Sequence, residues 1–547
     1  MKAFKLNFSN ASTFSSAFLR KLQQRLIEHK WFFLILTASA LVFMPFLGEH
    51  WVHDSYLVAR YGYNYMAPRL FNQGRVLSSI YLRGLNILNM PFVPAMTLSV
   101  SLSIIILSLA SYNVFKAAKE SGVYGKLTGA LALIGSAGIF FNLFVADTLM
   151  FIENATMSLG VLFAVLAARY AIRTKYVRSA ILALLCVFSY QAVIAYYLPI
   201  VLLFPEKQEL LPKHGLGTDE NEINVFKLSS LICLVKRFFA SFLQYARCKI
   251  LPVAIYALVL ASNYAFTRFV SSDARVAGSV SIRENVRSCY LAAVDFARDT
   301  MQMTPKYLYF AFLCAFSVLI ILAALKIRSI WPIIRSVFGG GALIICALLP
   351  HVMMSYFYVM PRSAVALPGI GGLLIVAVSL SEVNKKSKRL DAMRKKPHNP
   401  IRWKALSIVS IVIAVAYTIT ISTVQLDMQL SSIRNNRLDA AETEEAAEII
   451  REYEANSGLK ITHIYVLRDS STVFTRPGVR NYRDLTVRAM SVSWMVPPLL
   501  SNLLGRELQD LPTPDGARER LFGDREWDEF SAEQLVFDEE HLYFCIY

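Results

Sequence analysis

The chain has 547 residues, 55% hydrophobic and only 17% charged, with a formal net charge of +17 and a mean hydropathy of +0.45. A soluble protein of this size carries about a quarter charged residues, so the composition excludes an ordinary soluble enzyme and predicts an all-α polytopic membrane protein. The Lys and Arg sit in short segments between apolar runs, with no basic face or binding motif, so nucleic acid is not an expected partner.

Residues 1–30 are polar and basic (Lys2, Lys5, Arg20, Lys21, Arg25, Lys30), and no small-residue cleavage site follows the first apolar run. They predict a cytoplasmic amphipathic arm on the inner leaflet rather than a cleavable signal. Apolar spans follow at 31–48, 92–115, 127–145, 157–171, 250–270, 306–325, 331–350, 363–381 and 405–424. A further apolar run occupies 178–205. Between the first two spans lies 51–75, WVHDSYLVARYGYNYMAPRLFNQGR. It is too polar to cross a bilayer and too rich in arginine and tyrosine for a plain linker.

Basic loops belong on the cytoplasmic side. That rule puts 51–75 and 147–156 outside, and 116–126 and 173–178 inside. If 178–205 were one helix, the most basic loop, 385–404, would fall outside. One extra crossing repairs the count. Residues 228–245 are a poor candidate, because Lys236 and Arg237 at the middle would cost about 2.5–3.5 kcal/mol each; they read better as an interfacial amphipathic helix. The favoured solution is a hairpin of two short helices over 179–204, turning near Ser189, Tyr190 and Gln191. Each arm spans about 20 Å, which calls for a thinned or protein-lined environment such as a water-filled cavity. The nine clear spans and two arms make eleven crossings, with the N-terminus inside and 425–547 delivered outside.

That last region is a different material. Residues 438–456 have helical apolar spacing and end at Ser457-Gly458, a helix stop signal, while 461–467 and 541–547 read as strands. A small extracytoplasmic α/β domain is expected. The seven cysteines show no CxxC; Cys186, Cys314 and Cys346 lie inside apolar spans and read as small packing residues. No internal repeat is evident.

On this topology one face collects carboxylates and arginines from separate loops. The first loop supplies His53, Asp54, Arg60, Arg69 and Arg75; the second outer segment Asp147 and Glu153; the hairpin tip Tyr190 and Gln191; and the loop SYFYVMPRS Tyr356, Tyr358 and Arg362. The cytoplasmic face carries mostly Lys and Arg. No DxD, HExxH or Cys/His cluster gives a positive argument for a metal, so no metal or other cofactor is expected.

An acidic residue soon after span one, a long arginine- and tyrosine-bearing loop, the segment FVADTLMFIEN and the turn SYQ together resemble the bacterial type II O-antigen glucosyltransferases, membrane enzymes of the GT-C class. The resemblance covers about residues 30–380. It implies a GT-C-like fold of about 10–11 transmembrane helices over 31–424 in the bacterial inner membrane. It also implies a sugar donor linked to undecaprenyl phosphate, commonly glucose, an extracytoplasmic active site, and a lipid-linked or surface polysaccharide acceptor. A separate flippase and donor synthase would accompany it. The family's acidic pair after span one is His53-Asp54 here, so only its second position is acidic.

The residue types suit that chemistry. An inverting transfer needs a base for the acceptor hydroxyl and cations for the departing phosphate. Asp54 is the expected base, with Asp147 or Glu153 orienting acceptor hydroxyls, and Arg60, Arg69, Arg75 and Arg362 are candidates for the phosphate. Trp51 and the tyrosines would stack on sugars or lie in an interfacial belt. Against these roles, Asp54 could cap a helix starting at Ser55, the acids could be loop charges, each arginine a headgroup anchor, and Gln191 a helix-to-helix hydrogen bond. His53 and His351 are lone histidines, and the Asn154-Ala-Thr sequon reads as a chance match. The rival classes are a transporter or flippase of lipid-linked sugars, which calls for repeated halves and mid-bilayer charges, and an O-antigen polymerase, which moves whole repeat units.

Overall fold

The computed structural model describes residues 29–123, 125–205, 228–270, 280–326, 329–352, 359–381, 400–469, 487–527 and 529–546. The N-terminal arm, the basic loop at 385–404 and the Tyr356–Tyr358 stretch lie largely or wholly outside these residues.

The chain is mostly helical. In order the helices are α1 (Lys30–Val42), α2 (His53–Tyr61), α3 (Tyr63–Asn72), α4 (Val76–Ile87), α5 (Phe92–Glu120), α6 (Lys126–Phe140), α7 (Val145–Leu149), α8 (Asn154–Ile172), α9 (Tyr176–Ser189), α10 (Tyr197–Leu203), α11 (Leu228–Val270), α12 (Ile282–Met303), α13 (Leu308–Lys326), α14 (Trp331–Val352), α15 (Ile370–Ser381), α16 (Pro400–Ser457), α17 (Val496–Leu504) and α18 (Ala517–Leu521). Among the described residues six helices are long and apolar enough to cross a membrane: α5, α8, α13, α14 and the apolar parts of α11 and α16. Shorter apolar helices occupy Lys30–Val42, Lys126–Phe140, Tyr176–Ser189, Gln191–Leu203 and Leu367–Ser381.

The run at 178–205 turns back on itself. Ser179 and Tyr197 are 18 residues apart, yet their hydroxyls lie 3.2 Å from each other. A continuous helix would separate them by about 27 Å. Tyr190 is extended at the break, and a 3-10 turn (Gln191–Tyr196) leads into α10.

Two expected breaks are absent. Residues 228–245 continue into the following span as one helix rather than forming a separate interfacial one. The last span and the helix expected at 438–456 are likewise one element, α16, whose 58 residues reach about 87 Å. It ends where the stop signal predicts, with Gly458 at φ +71 and its N–H on the Glu454 carbonyl. Cys186 and Cys346 are buried, whereas Cys314 is exposed on its span rather than packed.

Helices α6 and α15 touch backbone to backbone. A Cβ on Gly372 would collide with the main chain of Gly138 and Ile139, and one on Gly135 would lie 2.8 Å from the Gly372 carbonyl. Small residues permit this approach, which is how apolar helices associate without a hydrophobic drive between them.

The C-terminal region carries a four-stranded sheet in the order β2 (Gln509–Asp510), β1 (His463–Arg468), β4 (His541–Ile546), β3 (Leu535–Asp538). Strand β1 runs parallel to β2 and β4, while β3 and β4 form an antiparallel hairpin. Its core is shared: Tyr56 and Leu57 of α2 pack with Ala447 and Ile450 of α16 and with Leu500, Leu542 and Phe544. Buried Arg488 bonds Asp439 at 2.9 Å and Glu442 of α16, so the C-terminal fold is clamped to the long helix by charge as well as by apolar contact.

Two stability predictions follow from this packing. Gly372→Ala should cost at least about 1–3 kcal/mol, whereas Gly341→Ala, with nothing within 4 Å, should be neutral or stabilising by up to about 1 kcal/mol; thermal midpoints of the solubilised protein decide. Arg488→Leu strands two buried carboxylates and should destabilise the C-terminal fold by about 3–5 kcal/mol, read as faster proteolysis of residues beyond α16.

Candidate active site

The segment between α6 and α8 positions the site. It leaves regular helix inside an apolar bundle, so its polar groups need internal partners. Asn142 supplies several. Its Nδ2 donates to the Val365 carbonyl at 2.8 Å, its Oδ1 accepts from the Phe144 N–H at 3.0 Å, and its own carbonyl accepts from Gln425 of α16. Asn154 closes the other end: its Oδ1 accepts from Ser99 and Ser103 of α5 at 2.7 and 2.8 Å, and its Nδ2 donates to Leu149 at 2.7 Å. Asn154 is fully buried, in keeping with a chance sequon.

This frame fixes two acids. Asp147 is 1% exposed, and its Oδ2 accepts from the Arg362 backbone N–H at 2.6 Å. Glu153 is 3% exposed and faces Arg75 at 3.6 Å. Neither is the free loop charge that composition alone allows. Burial pushes the Glu153 carboxyl above the usual carboxylate range; Arg75 pulls it down, Asp54 pushes it up and Arg362 pulls it down. The Arg75 guanidinium lies 4.6 Å over the Tyr190 ring, and that of Arg362 4.4 Å over Phe151. The Tyr190 hydroxyl feels Arg75, Arg362, Asp147 and Glu153. Three sequence-distant segments therefore meet the first loop at one end of the bundle.

Asp54 lies in the first turn of α2 and is half-buried. It does not cap the helix: Val52 is the N-cap, and the Ser55 hydroxyl accepts its N–H at 3.1 Å. Among the described residues Asp54 makes no hydrogen bond or ion pair. It is thus the carboxylate of the group with its oxygens uncommitted. His53 begins the same helix, and its side chain lies outside the description.

Gln191 donates to the Gln73 carbonyl at 2.5 Å, tying the hairpin to the first loop. The contact depends on Gly74, at φ +78, where a Cβ would lie 2.6 Å from Thr267 and 2.8 Å from the Gln191 amide. Sequence reading missed the contribution of α11. Asn263 and Thr267 press against Gly74, and Asn263 Nδ2 is buried without a partner among the described residues. Asn263 and Thr267, four residues apart on one face of a largely apolar span, are the signal that could have found them.

Arg69, Arg60 and Trp51 have other neighbours. Arg69 does not join the cluster; it bonds the Tyr65 hydroxyl at 2.6 Å and lies 4.1 Å over that ring. Arg60 sits in the last turn of α2 beside Tyr61. Trp51 offers no face to a sugar, because Tyr56 and Phe92 stack on it at 4.9 and 4.7 Å. Tyr358 lies outside the described residues. No group of three His, Cys, Asp or Glu side chains that could hold a metal ion occurs among the described residues.

The opposite end of α5 differs in kind. There Glu120 pairs with Arg169 and Arg173, with Lys119 adjacent in sequence and Lys116 one turn back.

No protein-family model, curated protein or solved structure matches the chain.

Chemically, the cluster offers two guanidiniums able to take phosphate oxygens, two buried acids, one facing the Arg75 guanidinium and one holding the Arg362 backbone, and one uncommitted carboxylate. Arg75→Met should destabilise the fold by about 3 kcal/mol by stranding Glu153, and adding Glu153→Gln should restore most of that loss; thermal unfolding of the single and double variants checks the coupling.

Proposed function

We propose that this chain is a membrane glycosyltransferase. It moves a sugar, glucose by the family resemblance, from undecaprenyl phosphate onto a lipid-linked or surface polysaccharide. The observation that carries the reading is the convergence of Arg75 and Arg362 with Asp54, Asp147 and Glu153 at one end of an apolar bundle.

In this mechanism Asp54 takes the proton of an acceptor hydroxyl as its oxygen attacks C1 of the donor sugar. The C1–O bond to phosphate breaks with inversion, and the electron pair leaves on the phosphate oxygen. Arg75 and Arg362 stabilise that developing charge. Glu153 and Asp147 act as positioning residues: the first holds the Arg75 side chain, the second the backbone of Arg362. No step needs a further co-reactant. The basic cluster at the far end of α5 supports an orientation with the site on the periplasmic side of the inner membrane.

The test is transfer of radiolabelled glucose from undecaprenyl-phosphate-glucose to lipid-linked polysaccharide in membranes. Asp54→Asn should lower transfer by about 10²–10⁴-fold at matched expression, Arg75→Ala should also lose it, and Lys119→Ala should keep it. Full activity in Asp54→Asn would remove it as the base, and absence of transfer by the wild type across donors and acceptors would sink the enzyme reading.

A further inference from the structure

A second feature lies beyond the acid and arginine cluster. Between α2, α3 and the C-terminal sheet opens a cleft of about 710 Å³. Its lining includes Tyr61, Tyr65 and Trp494 together with Glu507, Gln509 and Asp510. Trp494 is 48% exposed and Tyr61 40%, with the Tyr61 ring 4.9 Å from that of Tyr65. Among the described residues the side chains of Glu507, Gln509 and Asp510 make no hydrogen bond or ion pair. They sit on or beside β2, an edge strand of the sheet.

Aromatic rings, unspent carboxylates and an amide lining one cleft suit one ligand chemistry. A sugar ring has an apolar C–H face and a polar hydroxyl rim; the face stacks on an aromatic ring, and the hydroxyls donate to carboxylate and amide oxygens. Phosphate is disfavoured by the two acids, and an acyl chain by the polar wall. A cleft of this size takes a drug-sized ligand, or about two to three sugar rings. The same helix serves both places. Asp54, Leu57 and Tyr61 fall at i, i+3 and i+7 on one face of α2, and Leu57 and Tyr61 line the cleft. From Tyr61 to Asp54 is about 10 Å along the axis.

We infer that this cleft binds a neutral saccharide chain, stacked on Tyr61 and Trp494 and held by Glu507, Gln509 and Asp510, and feeds its end along α2 toward Asp54. Naming that chain as the acceptor rests on the glycosyltransferase reading; the binding does not.

The test titrates the full-length protein in detergent micelles with lipid-free polysaccharide, released by mild acid from the lipopolysaccharide of cells that carry it. Binding is followed by saturation-transfer NMR. Wild type, Asp54→Asn and Trp494→Phe should bind alike, while Trp494→Ala and the pair Glu507→Gln/Asp510→Asn should weaken binding at least about tenfold with unchanged thermal midpoints. In the transfer assay the same two variants should raise the acceptor KM with kcat retained. Binding without any transfer would leave the cleft standing and sink the enzyme reading. Transfer with an acceptor KM unmoved by the cleft variants, or no polysaccharide binding by the wild type, would overturn the cleft.

Discussion

Backbone groups inside an apolar bundle must find partners within the protein, because no water is present to take them. The stretch from Phe141 to Glu153 breaks the helix on either side of the short α7 between two apolar helices, and the two buried acids depend on how those breaks are satisfied. Asn142 and Asn154 satisfy them from either end, reaching α5, the turn at Val365 and the long helix α16. A broken segment held this firmly, with Asp147 on the short α7 and Glu153 just before α8, can present carboxylates at fixed positions. Asp147 and Glu153 are buried for that reason and not despite their charge.

Those acids in turn decide what the arginines can do. Arg75 has Glu153 on one side and the Tyr190 ring on the other, so its fork is held in place while remaining one-fifth exposed. Arg362 is held through its main chain by Asp147, and its guanidinium lies over the Phe151 ring. Asp54 comes from a separate helix whose far end packs into the C-terminal fold. That helix couples the apolar bundle to the sheet. Because α16 runs unbroken from the last span to the sheet and Arg488 locks onto it, the two halves of the chain share one frame.

Much of this was legible in the residues. The short apolar runs, the turn at Ser189 to Gln191, the helix stop at Gly458 and the strands near 463 and 541 all carry local signals, and each element lies within a few residues of its predicted place. Loop parity placed a wider set on one face, with Arg60 and Arg69 beside Asp54, Arg75, Asp147, Glu153 and Arg362, and did not say which of them would meet. Other features have no local signal. Nothing in residues 228–270 or 400–457 says that two helical segments will join without a break, since helix continuity across a polar stretch depends on what packs beside it. Strand β2 has only two residues and exists because β1 is there to pair with it. The separation of Arg69 from Arg75, six positions apart, is set by Tyr65 and by the turn at Gly74.

The sequence by itself determined the apolar helical class, the small C-terminal sheet, and the set of loops that bring acid and arginine to one end. Those properties follow from composition, period and charge, which are local. The tertiary structure alone decided which carboxylate is buried against which cation, that both faces of Trp51 are covered, that Asn263 reaches the site, and that an aromatic cleft opens beside α2. These depend on distances between segments up to several hundred residues apart, and no single stretch of chain holds that information.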